Sequence, residues 1–138
     1  MASVLVPLAQ GCEELEAVTI IDLLVRAGVE VVTAGLEAGP VTASRGVVLV
    51  PQLTLDEALQ RDYDMVVLPG GMPGAVNLDE EPRIHQLLGK MDDSGKFIAA
   101  ICAAPRVLAH AGLLSGKRAT SYPGHLDKMD LPDVEYRQ

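Results

Sequence analysis

With 138 residues, the chain is long enough for one domain with a core of its own. It has no tryptophan, one phenylalanine and three tyrosines, so that core must be aliphatic, built from Val, Leu, Ile and Ala. A formal net charge of −8 excludes a nucleic-acid binder, which needs a basic face to neutralise phosphates, and suits small-molecule or protein partners.

The N-terminal MASVLVPLAQG has neither a basic region nor a long enough apolar run for a signal peptide. No segment approaches the ~18 uninterrupted apolar residues of a membrane span. Cys12 and Cys102 make no disulfide framework. Free thiols in a cytoplasmic protein are expected, with a Cys12–Cys102 bridge as the alternative.

Taken in order, Ser3–Leu8 is a short apolar, strand-like run that Gly11 breaks. Glu13–Ala27 reads as a helix with acids at its start, where the helix dipole favours them, and it stops at Gly28. Val29–Ala34 is rich in β-branched residues and reads as a strand. Val41–Ala43 and Val47–Val50 are two short strand candidates split by Ser44-Arg45-Gly46. Thr54 caps a short helix with Asp56 and Glu57 in its first turn. Tyr63–Leu68 is a strand that runs into the turn Pro69–Gly74. A helix follows from Pro82 to about Met91, then a strand at Phe97–Ile101 and a helix at Pro105–Ala111, ended by Gly112. Arg118–Tyr122 is a last strand candidate, and Pro123–Gln138 shows no clear element.

Strands alternate with helices, and the strands are nearly continuous apolar runs, as expected when both faces are covered. The pattern predicts an α/β sandwich with a mainly parallel sheet, in a single domain spanning residues 1–138. Ligands of such sheets sit outside the carboxyl ends of the strands. That rule nominates three loops, Ala9–Glu13, Pro69–Gly74 and Cys102–Pro105.

Cys102 stands between a strand and a helix start, in a turn like the nucleophile elbow of hydrolases, with Ala100, Ala103 and Ala104 in its crowded positions. Helix N–H groups there would lower its pKa, since the thiolate is the nucleophile. The competing reading is a buried core cysteine. Glu16 shares a helical line with Ile20, Leu23 and Ala27, which predicts an inward-facing carboxyl able to exchange a proton with that thiol. Glu13 and Glu14 read as solvated first-turn acids. Gly70 and Gly71 can turn backbone N–H groups toward a ligand and, with the N–H of Ala103, form an oxyanion hole or simply a turn. His85 reads as solvated and His110 as a cation suited to a helix end, whereas His125 lies in a loop, either exposed or reaching the site. No histidine pair has metal-ligand spacing, so no metal is expected; Cys12, Cys102 and His125 make only a speculative set.

"GCEELEAV", "VVLPGGMPGAVNL" and "AAICAAPRVLAHAGLL", in that order, resemble the ThiJ/PfpI superfamily, in its Parkinsonism-associated deglycase branch. The resemblance spans essentially the whole chain. It implies a flavodoxin-like three-layer sandwich, a homodimer, and a reactive cysteine matched by Cys102. It also implies a neighbouring acid at Glu16, backbone donors at Gly71 and Ala103, and dimer-side arginines at Arg26 and Arg45. The activity it implies is cofactor-free chemistry on small reactive carbonyls, of glyoxalase or deglycase type. Redox sensing or holdase chaperoning through an oxidised cysteine is the alternative. A further family label, thiazole monophosphate synthesis, lacks a phosphate-binding loop here. The chain departs from the family in having Ala103 where peptidase members carry His, which disfavours proteolysis. Tyr122 stands where others place His before a proline, so either Tyr122 or His125 is the auxiliary candidate. Family members continue for about a further strand and helix, so the resemblance implies a fragment whose remainder is either disordered or carried by a companion C-terminal polypeptide.

Overall fold

The computed structural model describes all residues from Met1 to Gln138. Its centre is a five-stranded, all-parallel sheet. The strands are β1 (Ser3–Leu8), β2 (Glu30–Gly35), β5 (Leu53–Thr54), β6 (Met65–Leu68) and β7 (Phe97–Ala100), in the spatial order β5-β2-β1-β6-β7. β3 (Val41–Thr42) and β4 (Val48–Leu49) form a separate antiparallel hairpin, and β8 (Arg118–Ala119) pairs in parallel with β9 (Glu135–Tyr136). The helices are α1 (Glu14–Arg26), α2 (Leu55–Ala58), α3 (Gly74–Asp79), α4 (Pro82–Asp93) and α5 (Pro105–His110), with a 3-10 turn at Leu126–Lys128. This is the α/β sandwich with a mainly parallel sheet that the alternation of strands and helices predicts, and the flavodoxin-like arrangement that the resemblance implies.

β1 is central, and its side chains alternate between two apolar layers. Leu5 joins Leu68, Ile84, Leu88 and Val107 in the larger cluster under α2–α5, whereas Val4, Val6 and Leu8 join Ala17 and Val67 under α1. Pro7 is tolerated mid-strand because β1 pairs with β6 only at Val4–Met65 and Leu5–Val66, so that ladder has ended before an N–H is missed. β1 keeps its longest pairing with β2, from Ser3–Glu30 to Leu8–Gly35. Thr54 and Glu57 form a full capping box at the start of α2.

Three features depart from the sequence expectations. α3 lies between the expected Pro69–Gly74 turn and the Pro82 helix, where the sequence suggests no element; its Ala75 and Leu78, three residues apart, are both fully buried. The tail after Pro123 is ordered, because Glu135 and Tyr136 pair with Arg118 and Ala119. On α1 the inward stripe is Ala17, Ile20, Ile21 and Leu24, whereas Leu23 faces out at 58% exposure. Glu16 therefore turns inward through the first turn of α1, not through a line shared with Leu23 and Ala27.

β7 is an outer strand of the sheet. Phe97 is 73% exposed there, and a groove of about 700 Å³ runs between β7, α5 and β8, lined by Ile98, Ala100, Leu108 and Ala119. No helix is long and apolar enough to cross a membrane.

Candidate active site

The carboxyl ends of β1, β6 and β7 bring the three nominated loops together, and backbone hydrogen bonds lace them. Glu13 N–H donates to the Gly70 carbonyl at 2.9 Å, Gly74 N–H to that of Gly11 at 3.1 Å, and Ile101 N–H to that of Leu68 at 3.2 Å. The largest cavity, under β7, carries no nucleophile. The chemistry lies in a cavity of about 560 Å³ lined by Glu13, Leu15, Glu16, Ser44, Arg45, Gly71, Met72, Cys102, Ala103, Tyr122 and His125.

Cys102 is the one non-glycine residue with positive φ, at 61°. L-residues rarely adopt that region, and an isolated instance at a strand-to-helix corner holds the side chain out of the core. Packing over-determines it: Tyr122 N–H donates to the Cys102 carbonyl at 2.7 Å, and Ala104 N–H to that of Ile101 at 3.0 Å. Cys102 is half-buried, whereas Cys12 is fully buried, and both thiols are free.

Glu16 reaches Gly70 N–H through Oε1 at 2.9 Å and hydrogen-bonds the Cys102 thiol. Only glycine fits at position 70, since a Cβ there would lie 2.7 Å from Glu16 Oε1, 2.7 Å from the Ile101 carbonyl and 2.8 Å from Cys102 Cβ. Gly71 has φ +91°, and a Cβ on it would meet Glu13 N at 2.4 Å. Both glycines are thus required by the close approach of α1 to the elbow.

The electrostatics correct one expectation. Burial pushes the Cys102 thiol up, and the hydrogen bond and charge of Glu16 push it further. The N–H groups of Ala103 and Gly71 pull it down without prevailing. α5 has only six residues and starts three positions later, at Pro105, so a helix end does not dominate the thiol. Cys102 and Glu16 instead act as a pair. With the carboxyl ionised the shared proton sits on sulfur; with the proton on the carboxyl, the same contact donates to a thiolate.

Other expected residues fall into place differently. Glu13 and Glu14 are not merely solvated. Glu14 accepts from Arg45 N–H at 3.0 Å, Val47 N–H at 3.2 Å and the Ser44 hydroxyl at 3.0 Å, and these donors hold its carboxyl below the usual range. Glu13 also accepts from Ser44, at 3.1 Å. Together they fasten the hairpin turn that carries Arg45 to the cavity. Arg26 lies away from the cavity and pairs with Asp22 one turn earlier, at 3.1 Å. His85 is not solvated: its Nε2 contacts the Asp79 carbonyl at 2.7 Å and Oδ1 at 3.2 Å. His110 pairs with the same Asp79 from α5. Tyr122 is 62% exposed at the rim, whereas His125 is half-buried, with Nδ1 enclosed and without a partner. The Ser44 clamp has no signal in the sequence, because it is built across 30 residues from a turn and a helix start. No group of His, Cys, Asp and Glu has the arrangement of a metal site.

A parallel sandwich with a cysteine on a positive-φ elbow, a carboxyl against it and two glycines beneath defines a class of α/β proteins with a thiol-centred site. Residues 2–138 match the model of the DJ-1/PfpI family, and the chain belongs to that family. It is 44% identical to Protein DJ-1 homolog B of Arabidopsis thaliana over 97% of this chain, though it spans only 31% of that protein. It is 38% identical to the glutathione-independent glyoxalase DJR-1.2 of Caenorhabditis elegans, over 98% of this chain and 71% of the relative. The solved structure of oxidized Toxoplasma gondii DJ-1 superposes with a TM-score of 0.91 at 37% identity, covering 99% of this chain and 83% of the other.

Proposed function

We propose that this protein converts small 2-oxoaldehydes to 2-hydroxy acids without a cofactor, methylglyoxal to lactate being the simplest case. The observation that carries this is the contact between Glu16 and a Cys102 held out at positive φ, with Ala103 and Gly71 N–H groups directed at the same sulfur. The glyoxalase named among the relatives supports it.

Proton transfer to Glu16 leaves Cys102 as thiolate, which adds to the aldehyde carbon and forms a hemithioacetal. The Ala103 and Gly71 N–H groups, directed at the sulfur in the resting protein, then hold the oxygen that becomes anionic. Glu16 then takes the proton from the former aldehyde carbon and delivers it to the neighbouring carbon through an enediolate. The product is a thioester, which one water molecule hydrolyses to the acid, returning the thiol. No electron leaves the substrate. Consumption of methylglyoxal with stoichiometric lactate is the expected result for the wild type. Cys102→Ala and Glu16→Ala should each lose at least about a hundredfold in rate, the scale of general acid–base catalysis; variants as active as wild type would sink the mechanism.

A second reading has an observation of its own, since the Toxoplasma relative was solved in an oxidized form. Two equivalents of hydrogen peroxide, each delivering one oxygen and leaving as water, would take Cys102 to sulfinate. Glu16 carrying its proton would hydrogen-bond that sulfinate.

The active form is proposed to be a homodimer. α1 exposes Leu15 at 73% and also Val18, Leu23 and Val25, and Val47, Val48 and Met72 are exposed as well, Met72 lining the site cavity with Leu15. Apolar side chains grouped in this way are normally covered by a partner surface. Arg26 and Arg45 would flank this interface. Light scattering should give twice the 14.6 kDa chain mass, and a monomer at micromolar concentration would refute the dimer.

A further inference from the structure

An enzyme that accepts a 2-oxoaldehyde must handle two adjacent oxygens. The backbone donors at Gly71 and Ala103 account for the one on the carbon that bonds sulfur. The second oxygen, on the neighbouring keto carbon, needs a donor on the opposite wall of the cavity.

Four side chains lining that cavity carry an N–H or O–H able to serve: Ser44, Arg45, Tyr122 and His125. The hydroxyl hydrogen of Ser44 is committed to Glu13 and Glu14. Arg45 and Tyr122 are exposed at the rim. His125 is half-buried, its ring makes no hydrogen bond to the protein, and its Nδ1 is fully enclosed without a partner. With Nδ1 enclosed, Nε2 is the ring nitrogen left to meet a ligand in the cavity that His125 lines.

The loop presents this ring deliberately. It is pinned on both sides: Gly124 N–H donates to Asp127 Oδ1 at 2.7 Å, and Leu126 N–H to the Ser121 hydroxyl at 3.0 Å. Leu126 itself is anchored in the larger core cluster. These contacts fix the loop that carries the ring at the cavity wall.

We infer that His125 is a specificity residue, whose Nε2–H binds the keto oxygen of a vicinal dicarbonyl and so selects it over a simple aldehyde. The assignment rests on the same cavity as the carbonyl chemistry, but binding tests it without turnover. Cys102 is alkylated with iodoacetamide in the presence of methylglyoxal or propanal, and the concentration of each that halves the rate is measured. His125→Leu should raise the methylglyoxal concentration needed by about tenfold, the value of one good hydrogen bond, and leave that of propanal unchanged. His125→Asn, which keeps an N–H, should recover part of the loss. Equal shifts for both aldehydes, no shift for either, or no protection of the wild type by methylglyoxal would overturn the assignment. If protection follows the expected pattern but no lactate forms, the proposed reaction fails and the role of His125 in binding stands.

Discussion

Cys12 and Cys102 occupy comparable places, each just past the carboxyl end of a parallel strand, and the fold treats them in opposite ways. Cys12 has no exposure and packs so closely that a Cβ on Gly74 would stand 2.5 Å from its Cα. Burial, then the charges of Glu14, Glu13 and Glu16, push its thiol up to about 11. Cys102 is also raised, by burial and by Glu16, yet it keeps an open side and receives N–H groups from Ala103 and Gly71. Position at a strand end therefore does not make a nucleophile. Backbone conformation and access do, and both trace to the positive φ of Cys102.

The largest effect should come from setting the two thiols against each other. Native Cys12 can react only through unfolding, which samples about 10⁻³ or less of the population. Iodoacetamide at pH 8 should therefore modify Cys102 at least about a thousandfold faster than Cys12, as read by peptide mass spectrometry. Dilute hydrogen peroxide should add two oxygens to Cys102 and none to Cys12. Comparable labelling or oxidation of both would erase the distinction between a site and a core thiol.

This contrast was only partly legible in the sequence. The strands showed because apolar runs separated by glycine and proline survive without long-range information, and β1 has the bounds the pattern predicts, Ser3–Leu8. α3 did not show, because Gly74 and Asn77 weaken its propensity and the burial of Ala75 and Leu78 compensates. The elbow showed as small residues around a cysteine, but its φ is a tertiary outcome, held by Tyr122 from 20 positions away. Glu16 turns inward as its helical position predicts, although its partner is the Gly70 N–H across the loop and not an apolar helical stripe. The Asp79 junction with His85 and His110 joins three helices, and no local pattern announces it.

A smaller effect sharpens the comparison by acting on one thiol alone. Each cysteine has its own leading glutamate, Glu14 for Cys12 and Glu16 for Cys102. Glu16→Gln removes the charge that raises Cys102 and leaves burial, so the thiol should titrate lower than in the wild type. Its alkylation at pH 7 should then be several-fold faster, because more thiolate is present, while the difference vanishes at a pH where both proteins are fully ionised. Methylglyoxal turnover should fall at the same time, since glutamine cannot carry a proton between carbons. Faster labelling with slower turnover separates thiol ionisation from catalysis. If Glu16→Gln slowed alkylation instead, the shared proton would reside on the carboxyl in the resting protein, and Glu16 would be stabilising the thiolate.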